Sequence, residues 1–274
     1  LLPDLKEEKM AKFTCNFISY TLKRTVDITV VVPTVTIPES MGLTAPEGAA
    51  PACRHTPEGK FPVLYLLHGF GNNHATWTGY TNVELYAEER NIAVVMLSAE
   101  NKFYVNHDGG DSFFDFIENE LPDFVRGMFP ISDRPEDTFI AGLSMGGYGT
   151  LVHALTHPEK YAALGAFSAA VQLNIDMLEG MAKPGSLDSL EVAKKSVAEG
   201  KVLPKTYIAC GRKDFLIEAN EKFREDLKAL GADVTWAEHP DYGHEWRFWD
   251  EQAEAFLDWI PRSDVFAGKG KRQI

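Results

Sequence analysis

Thr138-Phe139-Ile140-Ala141-Gly142-Leu143-Ser144-Met145-Gly146-Gly147-Tyr148-Gly149 decides how the rest of the chain is read. Residues of strand character run into Gly-x-Ser-x-Gly, and a helix-compatible run from Met145 to His157 follows until Pro158 stops it. A strand that turns sharply into a helix lifts the intervening serine hydroxyl above the sheet. Glycine is needed at 142 and 146 because side chains there would collide across so tight a turn. Gly-x-Ser-x-Gly alone is a weak signal, matched by any Gly-rich surface turn with an idle serine. The strand before it and the helix after it favour a nucleophile.

Strand and helix signals alternate outward from this point. Downstream lie an apolar run at 161–167, a strand at 206–211 and a helix with Phe223, Leu227 and Leu230 on one face, stopped by Gly231. A strand at 233–238 and a last helix stacking Trp249, Ala253, Phe256 and Ile260 inward complete this half. Upstream, residues 61–67 and 92–97 are nearly continuous apolar runs, as expected of strands covered on both faces, with a helix over about 82–90 between them. Ser112 is placed as the N-cap of a helix whose apolar residues from Phe113 to Met128 follow the 3.6 period, and Pro122 is expected to kink or break it. Two β-branched or alternating segments, 14–19 and 26–32, come first.

The alternation predicts an α/β protein with a mostly parallel, eight-stranded sheet and helices on both faces. One domain is expected over 13–261, with residues 1–12 as an N-terminal remnant or arm. A Pro-, Gly- and Ala-rich loop insertion occupies 38–60, a small cap-like insertion 169–204, and a tail 262–274 whose basic end, Gly268 to Arg272, reads as frayed.

The chain has 274 residues, 45% hydrophobic and 24% charged, with a formal net charge of −13. That length suits one α/β domain with a large core. Nucleic acid and anionic membrane repel so acidic a surface and are excluded as partners. Assembly into a homo-oligomer is compatible with the sequence. Cys15, Cys53 and Cys210 are odd in number and widely spaced, giving neither a disulfide framework nor metal-ligand spacing, and Cys210 reads as a buried small hydrophobe. No run approaches the roughly 18 to 20 apolar residues of a membrane span. The first nine residues lack the apolar centre of a signal peptide, so the default expectation is cytoplasmic.

In an open parallel sheet functional groups gather in loops at the carboxyl ends of strands. Ser144, Asp214, His244 and the loop from His68 to His74 all fall at such ends. A serine hydroxyl is a poor nucleophile until a base takes its proton, an imidazole suits that task, and a carboxylate must hold the imidazole in one tautomer. Ser144, then Asp214, then His244 follow the chain order that a nucleophile elbow requires. Asp241 lies close enough to His244 to shape its turn. Asp176 and Asp188 lack a preceding strand, His239 reads as structural, and His153 and His157 lie too near Ser144 in sequence. Two backbone N–H groups are needed to hold an oxyanion: that of Met145, and one from the loop after the strand at 61–67, with Phe70 favoured over Gly69. His68 is expected to support this loop. Trp77, Phe103, Tyr104 and Trp246 are candidate lining of an apolar substrate pocket, though each alone is better explained by packing. Gly69-x-Gly71 meets His74 where a dinucleotide loop needs Gly, no phosphate-loop motif exists, and Phe248 stands where a zinc-protease motif after His244-Glu245 needs His. No metal and no organic cofactor are expected.

The chain resembles the esterase D branch of the α/β-hydrolases, which includes S-formylglutathione hydrolases, tributyrin esterases and several feruloyl esterases. The likeness spans roughly residues 60 to 260. It is carried by Leu66-Leu67-His68-Gly69, by Phe139 to Gly149, by Cys210-Gly211-Arg212-Lys213-Asp214-Phe215-Leu216 and by Gly243-His244-Glu245-Trp246. Within the branch it is more similar to the tributyrin and feruloyl esterases, because Leu143 and Tyr148 stand where S-formylglutathione hydrolases usually carry His. The resemblance implies the α/β-hydrolase fold, the same three side chains and the same two amides. It also implies a serine carboxylesterase for small-molecule esters with a short aliphatic or hydroxycinnamoyl acyl group. A thioesterase such as S-formylglutathione hydrolase, or an acyltransferase, would share these residues. A non-catalytic binding protein of this fold would usually lack one of them.

Overall fold

In a computed structural model, which describes residues 11–44, 54–171 and 188–274, eight strands form one sheet. They are β1 (Ala11–Ser19), β2 (Arg24–Val32), β3 (Val63–Leu67), β4 (Ala93–Leu97), β5 (Thr138–Leu143), β6 (Ala163–Phe167), β7 (Lys205–Gly211) and β8 (Val234–His239). Their order across the sheet is β1-β2-β4-β3-β5-β6-β7-β8. β1 pairs antiparallel with β2, and β2 antiparallel with β4; every later pairing is parallel. The sheet is mostly parallel, as the alternation of elements required. Every residue of β3, β4, β5 and β6 is buried, which is why these strands read as unbroken apolar runs.

Successive side chains of a strand point to opposite faces, so the sheet separates two cores. Val63, Tyr65 and Leu67 enter one core and Leu64 and Leu66 the other. Helix α1 (Val83–Arg90) and the last helix, α6 (Trp246–Trp259), cover the second face. The first face carries α2 (residues 113–128) and α3 (Met145–Thr156), with α4 (Ser189–Ala198) and α5 (Ile217–Ala229) beside them. Asp188 accepts from the N–H groups of Leu190 and Glu191 and so caps α4 rather than reaching Ser144.

Pro122 neither breaks α2 nor leaves it regular. Phe113–Asp115 and Leu121–Met128 are α-helical, and Phe116–Glu120 between them is a π turn. Proline has no N–H for the carbonyl four residues back, here that of Glu118, and its ring crowds that carbonyl. The wider turn relieves the crowding, and Lys160 Nζ donates to the orphaned Glu118 carbonyl at 3.0 Å. The Glu118 carboxylate meets Lys160 at 2.8 Å, His153 Nδ1 at 2.6 Å and the Tyr161 hydroxyl at 3.0 Å. Burial pushes this carboxyl up, but the His153 and Lys160 contacts outweigh it and hold the pKa down at about 2.

The tail is not frayed. Phe266 is buried and stacks on Phe61 at 4.9 Å. The Arg272 guanidinium reaches both oxygens of Glu39, at 2.9 and 2.6 Å, as well as the Glu88 carboxylate, Asn91 and the Thr34 carbonyl. A planar fork of five donors suits such a convergence of carboxylates and carbonyls. Glu39 belongs to a helical turn, Ile37–Ser40, closed by a capping box with Thr36 and overlapping the start of the segment read as a loop insertion.

Candidate active site

β5 ends at Leu143 and α3 begins at Met145, so Ser144 alone makes the turn, at φ 54° and ψ −114°. A non-glycine residue held at positive φ is strained, and the surroundings must over-determine it. The Ser144 N–H donates to the Phe167 carbonyl at 2.9 Å, and its carbonyl accepts from Tyr148 at 3.0 Å and Ala170 at 3.1 Å. The close approach of three backbones explains the flanking glycines. A Cβ on Gly142 would lie 2.5 Å from the Gly146 carbonyl oxygen, and one on Gly146 would lie 2.6 Å from the Leu67 carbonyl carbon.

The loops after β5, β7 and β8 bring Ser144, Asp214 and His244 into one hydrogen-bonded chain. His244 Nε2 stands 3.1 Å from Ser144 Oγ, and its Nδ1 stands 2.9 Å from Asp214 Oδ2. An ionised carboxylate only accepts, so the proton sits on Nδ1 and leaves the Nε2 lone pair facing the serine hydroxyl. Asp214 is buried, and its other oxygen accepts the Leu216 N–H at 2.9 Å. Burial alone would raise this carboxyl; hydrogen bonds from His244, Ser168 and Leu216 together hold it below the usual carboxylate range. Gly211 lets the β7 and β8 loops meet, since a Cβ there would lie 2.7 Å from the Tyr242 carbonyl carbon.

Of the amides considered for an oxyanion, that of Met145 is the first of α3 and has no partner within the helix. Among the described residues neither it nor the Gly69 and Phe70 N–H groups has an acceptor, whereas Gly71 and Asn72 are engaged. The Gly69 backbone passes beside the serine, where a Cβ would lie 3.7 Å from Ser144 Cβ. His68 holds this loop from within. Its Nδ1 donates to the Gly69 carbonyl at 2.7 Å and its Nε2 accepts the Ala99 N–H at 2.9 Å. Burial lowers its pKa to about 4, so the ring is neutral.

The aromatic candidates divide. Trp77 and Tyr104 have no exposed surface and are corrected from pocket lining to packing. Trp77 Nε1 donates to the Leu67 carbonyl and the Tyr104 hydroxyl to the His68 carbonyl, because a buried polar tip needs a partner. Phe103 is nearly buried between Phe70 and Tyr148. Trp246 is partly exposed and stacks on Tyr80 at 5.1 Å. Other histidines weighed from the sequence are engaged elsewhere: His74 bonds Thr29, His107 donates to the Lys102 carbonyl, and His239 accepts the Asp241 N–H.

Three neighbours of the site were not read from the sequence. Ser168, buried just past β6, helps hold the Asp214 carboxyl down and accepts from Trp249 Nε1 at 3.1 Å. The Trp249 ring stands edge-on to His244 at 4.9 Å, and Phe215, 72% exposed, lies 4.8 Å from the same ring. Ser168 does follow an apolar strand, the one signal it shares with the other three polar residues. Among the described residues no group of three His, Cys, Asp or Glu side chains could hold a metal ion, and no helix is long and apolar enough to cross a membrane.

The Esterase family model, described as "Putative esterase", matches residues 50–264. An acetyl esterase of Caldicellulosiruptor saccharolyticus is 34% identical over 223 residues, 73% of this chain and 83% of that one. Among solved structures, the fluorophosphonate-binding serine hydrolase FphF of Staphylococcus aureus is similar at a TM-score of 0.78 and 30% identity, covering 92% of this chain and 98% of that one. An S-formylglutathione hydrolase of Staphylococcus aureus follows at 0.75 and 30%, covering 92% and 99%. By sequence and by fold, the chain belongs to this esterase family of α/β-hydrolases and is a carboxylic ester hydrolase.

Proposed function

We propose that Ser144 is the nucleophile of a serine carboxylesterase that acts on small esters of short-chain acids through an acyl-enzyme. The observation that carries this reading is the unbroken chain from Ser144 Oγ to His244 to buried Asp214, with the serine on a strained turn. His244 takes the hydroxyl proton as Oγ attacks the ester carbonyl, then returns it to the departing alcohol. Water repeats the cycle on the acyl-enzyme and releases the acid. Asp214 fixes the imidazole tautomer and stabilises the imidazolium. The amides of Met145 and Phe70 hold the tetrahedral oxyanion, where donors placed in advance act without reorganisation.

A short acyl group is favoured over a hydroxycinnamoyl one for two reasons. Trp77 and Tyr104 are spent on packing, and the curated relative at 34% identity is an acetyl esterase. A thioester of formic acid is the second reading, supported by the 30% identity to an S-formylglutathione hydrolase. The test is a kinetic panel of p-nitrophenyl acetate and butyrate, tributyrin, methyl ferulate and S-formylglutathione, with Ser144→Ala as the blank. Acetate should give the highest kcat/KM, and Ser144→Ala should lose on the order of 10⁶-fold in kcat. Residual hydrolysis near the wild-type rate in Ser144→Ala would refute the nucleophile. Ferulate outpacing acetate would overturn the acyl preference.

A further inference from the structure

The segment between β4 and α2 contains four non-glycine residues at positive φ: Glu100 at 48°, Asn101 at 59°, Phe103 at 52° and Tyr104 at 63°. Such backbone persists only where contacts hold it, and here the contacts converge on the 68–72 loop and on α3. The Ala99 N–H donates to His68 Nε2, and the Tyr104 hydroxyl donates to the His68 carbonyl at 2.7 Å. His153 Nε2, fully buried on α3, donates to the Tyr104 carbonyl at 2.9 Å, and a Cβ on Gly149 would lie 2.6 Å from the Tyr104 ring. Asn101 Oδ1, held in this frame, accepts the Gly71 N–H at 2.6 Å.

The amides of the loop are thereby sorted. Asn72 closes a turn onto the Gly69 carbonyl at 3.3 Å, and Gly71, itself at φ 76°, is tied to Asn101. The N–H groups of Gly69 and Phe70, on the stretch that passes Ser144, remain without an acceptor among the described residues. Gly71 would otherwise be the freest hinge of the loop, because glycine rotates there at little cost. We propose that Asn101 is a positioning residue of this esterase: by holding the Gly71 N–H, it fixes the peptide that aims the Phe70 amide at the oxyanion. It touches neither ester nor serine. Its contribution appears only when charge develops on the carbonyl oxygen, so it belongs to kcat rather than to substrate binding. Asparagine suits the task twice, since it tolerates positive φ better than other side chains and its amide oxygen is an acceptor within reach of the neighbouring loop.

The inference rests on Ser144 as nucleophile, so Ser144→Ala is measured alongside. Asn101→Gly removes the carboxamide without straining the backbone, and Asn101→Asp restores an acceptor. With p-nitrophenyl acetate, Asn101→Gly should lose about 10- to 100-fold in kcat, the scale of a misplaced donor and below the roughly 10²- to 10³-fold of a missing one, with KM changed less than about threefold. Affinity for an aryl trifluoromethyl ketone, whose serine adduct places an oxyanion in the hole, should fall by the same factor. Asn101→Asp should recover both. A merely structural role would lower the melting temperature without splitting kcat from KM, and that result would overturn the proposal. So would a fall in kcat with undiminished ketone affinity, or no recovery in Asn101→Asp. If Ser144→Ala is inert while Asn101→Gly matches the wild type, only this inference fails; if Ser144→Ala remains active, the nucleophile assignment fails with it.

Discussion

Replacing Asp214 by Asn tests the division of labour within the site, because the change removes a charge and almost no volume. Asp214 Oδ1 accepts the Leu216 N–H and Oδ2 accepts His244 Nδ1, each at 2.9 Å. In Asp214→Asn the oxygen can keep Leu216, which leaves the amide NH₂ facing Nδ1. Two donors cannot bond each other, so the imidazole must move its proton to Nε2 to offer Nδ1 as acceptor. Nε2 then presents a proton, not a lone pair, to Ser144 Oγ at 3.1 Å, and the base is disarmed. The matching substitution in the serine-protease template costs about 10⁴ in kcat through the wrong tautomer, which corresponds to about 5 kcal/mol of barrier. Steady-state hydrolysis of p-nitrophenyl acetate should show that loss with KM little changed. A thermal melt should remain cooperative, since the site keeps its shape and its Leu216 contact. Activity within tenfold of wild type in a folded Asp214→Asn protein would refute the tautomer argument, and with it the role given to Asp214.

Two further expectations concern stability. His68 is neutral in the fold, with its pKa held at about 4 by burial, whereas in the unfolded chain it titrates near 6.5. The unfolded state therefore takes up this proton first as pH falls. The contribution is fully present above about 6.5 and is lost progressively down to about 4, amounting to roughly 3 kcal/mol. Urea unfolding at pH 7.5, 6, 5 and 4.5 should follow this slope, and His68→Asn should flatten it; an equal slope in the variant would exclude His68 as its source. Arg272→Ala strips a guanidinium from buried Glu88 and from Glu39. Breaking such a pair typically costs about 3 to 5 kcal/mol when the carboxylate stays buried. Glu88, raised by burial to about 7 even with Arg272 beside it, can take up a proton and soften the loss to roughly 3 kcal/mol. An unchanged melting temperature would show that the Arg272 contacts contribute nothing to stability.

The fold was legible where burial on both sheet faces leaves a continuous apolar signature, as in β3 to β6, and where glycine or proline marks an end, as at Gly231, which stands at φ 86°. Of the kink or break expected at Pro122, the structure shows a local distortion and no break, because a lysine 38 residues later bonds the orphaned carbonyl and lets the helix continue through a π turn. The tail misled for a similar reason. A short basic run looks solvated until two distant carboxylates are folded beside it.

At the site, the sequence by itself determined which chemistry was available. Residue type, the glycines around Ser144 and the order of Ser144, Asp214 and His244 after strands are properties of local conformation and topology, and both are written along the chain. Tertiary structure alone decided what surrounds that chemistry. Whether Trp77 packs against Phe167 and Trp246 or meets substrate, that Tyr104 bonds His68, that Trp249 bonds Ser168 behind Asp214, and that Asn101 engages Gly71 all depend on contacts between residues 30 or more apart in the chain. The physical reason is that an aromatic ring or an amide has the same local propensity whether its neighbour is water or protein. Only the folded packing fixes which of the two it meets.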